Sequence, residues 1–194
     1  MSICRRKSFW VNTPIYIARN STLFLDRDGV INQRLIGDYV KRPEELVLLP
    51  EVGKAIFLLN QWFRKIILVT NQQGIGKGLM TVEDLNNIHE ALRKQLVQRG
   101  AVIHDIQFCP DLADQQPICR KPNGAMALAA QAKDPDIDFK RSVMVGDMPS
   151  DIEFGNRLGM TTVLISNNYK GFPFGRPDYI FSSLLQFAWA IRFS

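Results

Sequence analysis

The sequence predicts an α/β domain in which a mostly parallel sheet lies between two layers of helices. Three observations lead there. Short apolar runs alternate with stretches of helical period from residue 21 onwards. The runs are apolar throughout, as strands covered on both faces are. Polar or acidic residues follow at once after three of them, where open sheets of this kind place their chemistry.

Taken in order, Leu23-Phe24-Leu25, residues 66–69, Val143-Met144-Val145 and residues 162–165 read as buried strands. Residues 103–108 and Tyr179-Ile180-Phe181 are weaker candidates. Between them Val52, Ala55, Ile56, Leu59 and Trp62 recur at helical spacing, as do Leu85, Ile88, Leu92 and Leu96. Thr81 is the expected N-cap of that second helix. Ser150-Asp151-Ile152-Glu153 matches a capping box opening a later one. Strand and helix alternating in this rhythm make a Rossmann-like three-layer sandwich. One domain over residues 21–194, preceded by a basic extension over residues 1–20, accounts for the chain.

Composition narrows the class. The 194 residues are 46% apolar and 22% charged, which suits a folded globular protein and excludes disorder or a coiled coil. No apolar run approaches the ~18 residues of a membrane span. Four of the 24 basic residues (Arg5, Arg6, Lys7, Arg19) and none of the 19 acids fall in residues 1–20, so the rest is nearly neutral. A nucleic-acid partner is therefore not expected, because a duplex binder needs a broad basic face. The early appearance of Asn12, Thr13 and Pro14 argues against a secretory leader. Three cysteines, Cys4, Cys109 and Cys119, give no even-numbered disulfide framework, and a reducing, cytoplasmic setting is expected. So is action as a monomer.

The strand ends carry the chemistry. Asp26 and Asp28 follow the first strand and, two apart, leave it on the same side. Carboxylates that close repel, and a divalent cation or a shared proton is the usual remedy. Asp147 follows another strand, making an all-oxygen set that favours Mg2+ over zinc, with Asp151 in support. Thr70 and the turn Asn71-Gln72-Gln73-Gly74 offer a hydroxyl and backbone N–H groups for phosphate oxygens. Arg120 and Lys121 supply positive charge. These parts describe phosphoryl transfer to a carboxylate. A calcium loop is excluded because Val30 and Gly29 occupy the wrong positions, and Gly74-Ile75-Gly76-Lys77-Gly78 lacks the Ser or Thr of a nucleotide-binding loop. His89 lies beside the apolar stripe of its helix and is expected at the surface or its boundary; Cys109 and Cys119 are expected to be packed thiols.

Four segments, Phe24-Leu25-Asp26-Arg27-Asp28-Gly29-Val30-Ile31-Asn32, Val69-Thr70-Asn71-Gln72-Gln73-Gly74-Ile75, Cys119-Arg120-Lys121-Pro122 and Val145-Gly146-Asp147 with Asp151, resemble the four signatures of the haloacid dehalogenase superfamily. The wording is closest to its heptose-bisphosphate and histidinol-phosphate phosphatases. The resemblance implies Asp26 as nucleophile, Asp28 as acid and base, and Thr70 and Lys121 on the phosphate. It implies Mg2+ held by Asp26, the Asp28 carbonyl and Asp147. A small phosphosugar is the implied substrate, contacted near residues 37–40, along Thr70, Asn71, Gln72 and Gln73, and at Arg120. A heptose 1,7-bisphosphate is the first expectation; the alternatives are a histidinol-phosphate phosphatase and a silent phosphosugar-binding module, the latter opposed by retention of both Asp26 and Asp28.

Asp28 and Thr70 are 42 residues apart and Thr70 and Lys121 51, distances already filled by assigned elements, so no cap domain is expected. The site should be walled by loops, chiefly residues 34–43, with Arg34, Lys77 and Arg120 setting selectivity. The zinc loop of the heptose phosphatases reads C-x-H and then C-x-C-R-K-P. Here Asp111 and Pro117 replace two ligands, leaving Cys109 and Cys119, so structural zinc is not expected. Met148 stands where those enzymes tend to have Lys, and Lys77 where they often have Arg.

Overall fold

A computed structural model describes residues 15–18, 20–115, 117–173 and 175–193. Arg5, Arg6, Lys7 and Arg19, on which the basic extension rests, lie outside the described residues, as does Cys4. The strands in chain order are β1 (Ile15–Ile17), β2 (Thr22–Leu25), β3 (Lys65–Asn71), β4 (Asp105–Cys109), β5 (Val143–Gly146), β6 (Thr161–Ile165), β7 (Tyr179–Phe181) and β8 (Ile191–Phe193). The helices are α1 (Val52–Leu59), α2 (Val82–Val97), α3 (Ala125–Lys133), α4 (Pro149–Leu158) and α5 (Leu184–Ala190).

Six strands form one parallel sheet in the order β4-β3-β2-β5-β6-β7. The chain runs outward from β2 on one side, then returns to lay β5 against its other edge. This reversal opens a crevice at the carboxyl end of β2, flanked by the ends of β3 and β5. Leu25 is level with Leu68 on one side and Val145 on the other, so the three predicted strand ends meet at one place.

Alternation along the buried strands builds a core on each face. Leu23, Leu25, Ile66, Leu68, Val143 and Val145 face α1, α2 and α5, while Phe24, Ile67, Val69 and Met144 pack with Met126 and Ala130 of α3 and Phe154 of α4. Each fully buried Leu or Ile contributes about 1.5–3 kcal/mol. Between β2 and β3 the chain adds one 3-10 turn and α1, and between β3 and β4 it adds α2; no cap domain occurs among the described residues. No helix there is long and apolar enough to cross a membrane.

Two local expectations change. Thr81 caps α2 as predicted, its hydroxyl accepting from the Asp84 N–H while Asp84 accepts from the Thr81 N–H. In α4, however, Met148 is the N-cap and Pro149 the first helical residue, so Ser150 sits inside the first turn. Asp151 does the capping, its Oδ2 accepting from the Asp147 and Met148 N–H groups at 3.1 and 3.0 Å. The packed domain also starts before residue 21. Ile15 and Ile17, within the stretch assigned to the extension, are buried in the core, and β1 pairs in parallel with β8.

Candidate active site

The nucleophile candidate hangs from the sheet itself. The Asp26 N–H donates to the Val145 carbonyl at 2.9 Å, which fixes its backbone to β5 just beyond β2. Lys121 Nζ lies 2.8 Å from Asp26 Oδ1, 2.7 Å from Asp151 Oδ1 and 2.8 Å from the Val69 carbonyl. All three of its N–H donors are thus used in a buried place, the arrangement that lets a charge stay inside a protein. Burial would lower the Lys121 pKa, but Asp151 and Asp26 hold it above the ordinary lysine value. Burial pushes the Asp26 carboxyl up to about 7 against the pull of Lys121, with the neighbouring Asp151, Asp147 and Asp28 adding to the rise. Asn71 sets the lysine from outside: its Oδ1 accepts from the Lys121 N–H at 3.0 Å and its Nδ2 donates to the Lys121 carbonyl.

Asp28 has different company. Asn32 Nδ2 donates to its Oδ1 at 2.9 Å, Gln72 Nε2 to its Oδ2 at 2.8 Å, and the Arg27 guanidinium lies against both oxygens. Burial alone would lift its pKa; the Arg27 charge and the hydrogen bonds from Asn32, Arg27 and Gln72 hold it below the carboxylate range. Gln72 also donates to Thr70 Oγ1 at 2.8 Å and is buried. Gln72 is not among the residues that border the cavity; it ties Thr70 to Asp28.

Asp147 supplies a third carboxylate. Burial lifts its pKa in spite of the Arg34 guanidinium, which donates to Asp147 at 2.7 and 3.2 Å. The same Nη2 of Arg34 reaches the Asp28 carbonyl at 2.6 Å and stands 3.6 Å from Asp26 Oδ2. Arg34 thus marks a point where the Asp26 and Asp147 carboxylates and the Asp28 carbonyl converge on positive charge. Its guanidinium stands in for a cation, and an all-oxygen set with two carboxylates fits Mg2+. Asp151 is also near, but both of its oxygens are already engaged by Lys121 and by backbone N–H groups. Gly29 makes the approach possible: with φ at +94°, a Cβ there would lie 2.0 Å from Asp147 Oδ2.

Above this floor opens a cavity of about 390 Å³ walled by residues 34–39 with Gln73, Lys77, Arg120 and Met148. The predicted loop wall is where it was expected. Tyr39, which sequence patterning alone did not single out, joins its parts: Gln73 Nε2 donates to the Tyr39 hydroxyl at 2.7 Å, and Lys77 Nζ lies 5.2 Å from the ring centre. Arg120 Nη1 is buried without a hydrogen-bond partner.

The cysteine expectation is overturned. Cys109 and Cys119 form a disulfide with Cα atoms 5.3 Å apart instead of standing as separate packed thiols. An odd total hid a pair, and the count no longer argues for a reducing compartment. Asp111 lies beside them, yet sulfurs joined to each other are not thiolate ligands. His89 is corrected too. It is 5% exposed, with Nε2 3.4 Å from Arg27 Nη1, and burial together with the Arg27 charge pushes its pKa down to about 3.

A parallel sheet bearing an acidic cluster and a locked lysine at its switch point defines a hydrolase of the haloacid dehalogenase kind, and a family model described as HAD-hydrolase-like matches residues 118–187. Over 174 residues the chain is 38% identical to the D-glycero-alpha-D-manno-heptose-1,7-bisphosphate 7-phosphatase of Mycobacterium tuberculosis, covering 87% of this chain and 90% of that one. It is 36% identical over 160 residues to the D-glycero-D-manno-heptose-1,7-bisphosphate 7-phosphatase of Thermosynechococcus vestitus, covering 76% and 79%. Among solved structures, the D,D-heptose 1,7-bisphosphate phosphatase of B. bronchiseptica, complexed with magnesium and phosphate, superposes with a TM-score of 0.74 at 30% identity, covering 87% and 96%. The chain belongs to this family of haloacid dehalogenase-like phosphatases, and it is an enzyme.

Proposed function

We propose that the protein is a Mg2+-dependent phosphomonoesterase that removes the 7-phosphate of a heptose 1,7-bisphosphate through a phosphorylated Asp26. The observation that carries this is the division of labour between two neighbouring carboxyls. Both border the cavity, Asp26 paired with Lys121 and Asp28 held by Arg27, Asn32 and Gln72.

In the first step an Asp26 oxygen forms a bond to phosphorus as the bond to the sugar oxygen breaks. Asp28, which Arg27, Asn32 and Gln72 favour as the carboxylate, must first take up a proton, and in that protonated form gives it to the departing oxygen. In the second step Asp28 takes a proton from water, whose oxygen attacks phosphorus and frees Asp26 and inorganic phosphate. Lys121 and the Thr70 hydroxyl stabilise the phosphoryl oxygens. Mg2+, held by Asp26, the Asp28 carbonyl and Asp147, would neutralise charge on the transferring group.

The wall favours a second anionic group on the substrate. Arg34, Lys77 and Arg120 border the same cavity, and Arg120 Nη1 has unmet capacity. Histidinol phosphate suits it less, because its amine and imidazole bring positive charge to a cationic rim; Asp38 is already paired with Lys41 at 2.8 Å. The near-neutral charge of residues 21–194 supports the exclusion of nucleic acid, and action as a monomer belongs to the same reading. Cytoplasmic residence does too, since a charged sugar phosphate does not cross a bilayer unaided and must be met where it is made. Phosphate release from a panel of phosphorylated metabolites, with and without EDTA, tests this. The heptose bisphosphate should lead in kcat/KM and lose turnover with EDTA; preference for histidinol phosphate, or indifference to EDTA, would contradict it.

A further inference from the structure

His89 has no part in the chemistry above, yet the fold buries it against the site. It comes from α2, its ring 6.1 Å from that of Phe108 on β4, with Nε2 3.4 Å from Arg27 Nη1. Arg27 is itself fully buried. Its Nε and Nη2 face Asp28, at 3.3 and 3.1 Å from Oδ1, with Nη2 also 3.1 Å from Oδ2. The guanidinium thus bridges the Asp28 carboxylate on one edge to an imidazole on the other. A buried guanidinium N–H needs an acceptor, and losing it leaves the group desolvated and unpaired. Neutral imidazole supplies it if Nε2 is bare and the proton sits on Nδ1. The depressed His89 pKa, caused by burial and by Arg27, keeps the ring neutral, and the contact with a guanidinium N–H then calls for the bare nitrogen at Nε2.

We propose that His89 is a positioning residue for the acid–base step: its Nε2 holds Arg27, and Arg27 in turn holds the Asp28 carboxyl at the leaving oxygen. With the acceptor removed, Nη1 must find another, and the bridge to Asp28 turns with it. The chemistry most exposed to such a shift is protonation of a poor leaving group. This inference rests on Asp28 being the acid.

The test compares kcat/KM for an alkyl sugar phosphate and for an aryl phosphate whose leaving group departs without protonation. Because kcat/KM reads phosphoenzyme formation, and both substrates meet the same preparation, any misfolded fraction cancels in the ratio. His89→Leu should lose about tenfold or more on the alkyl phosphate and less than about twofold on the aryl one. His89→Gln, which restores an acceptor, should recover most of the difference. Arg27→Lys, which breaks the hold on Asp28 directly, should show the largest separation. If the leucine variant does not fold, His89→Phe, which fills the site with no acceptor, takes its place against His89→Gln. Equal losses on the two substrates, or none, would overturn the proposal. Asp28→Asn in parallel tells the two failures apart. If it separates the substrates and His89→Leu does not, the role of His89 falls alone; if neither does, the reading of Asp28 falls and this inference with it.

Discussion

The floor of the cavity and its outer wall are built on different terms. On the floor, Lys121 spends its three N–H groups on Asp26, Asp151 and a backbone carbonyl, and Asp28 accepts from three side chains. On the wall, Ile36 is 99% exposed and Leu35 and Met148 are exposed too. The contrast separates two requirements. Reacting groups must be held before substrate arrives, so their partners belong to the protein. Residues on the wall are left open to whatever enters the cavity. Arg34 spans the two regions, reaching from a wall loop to the Asp26 and Asp147 carboxylates.

Five substitutions should break or sharpen this contrast. The greatest loss belongs to the floor: Asp26→Asn should lower kcat by about 10⁴-fold or more while leaving the folded state intact by circular dichroism. Gly29→Ala comes next. A methyl group there meets the Asp147 carboxylate at a backbone conformation that alanine resists, so turnover should fall about 100-fold and the Mg2+ concentration for half-maximal activity should rise. The wall should respond in KM. Arg120→Ala should raise KM for a bisphosphate about tenfold or more, with kcat changed by less than about threefold, because it removes binding to a part of the substrate that does not react. Arg34→Gln should tighten Mg2+ binding a few-fold by calorimetry, since the ion no longer displaces a guanidinium from the same acceptors; weaker binding would mean that Arg34 does not compete. Asp134, remote from both regions, should matter least. Hydrogen bonds from Arg64 and Lys65 draw its pKa down to about 2. Its stabilisation is complete above the unfolded-state pKa of about 4 and fades as pH falls towards 2. Asp134→Asn should cost about 1 kcal/mol at pH 7 by thermal melting, less at pH 3, with activity unchanged.

How much of this the sequence discloses follows the same divide. Asp26, Asp28 and Asp147 are legible because they follow buried parallel strands, and Thr70 because it lies at the end of one. Such strands announce themselves as short apolar runs, whereas Lys121, on a turn between β4 and α3, is legible only from its segment Cys119-Arg120-Lys121-Pro122. The wall is harder to read. Tyr39 lies on a loop without periodicity, and only the folded chain brings it to Gln73 and Lys77. His89 is four residues beyond Leu85 and one beyond Ile88, at the margin of the helical stripe; its neighbours Phe108 and Arg27 come from β4 and from the loop after β2. Gln72 shares a turn with residues that do border the cavity, and nothing local says that it does not. The disulfide escapes a parity count because the third cysteine, Cys4, is not one of the pair. β1 and β8 are three residues each, too short for alternation to reveal, and they meet from opposite ends of the chain.

The claim on which the account turns is that Asp26 becomes phosphorylated. Quenching the enzyme in acid during turnover, reducing with borohydride and sequencing the peptides by mass spectrometry addresses it directly, because hydride converts an acyl phosphate, but not a free carboxylate, to an alcohol. Homoserine at position 26, absent without substrate and absent when Mg2+ is removed, is the expected result. Rapid phosphate release with residue 26 still an aspartate, or with the modification at another side chain, would contradict it.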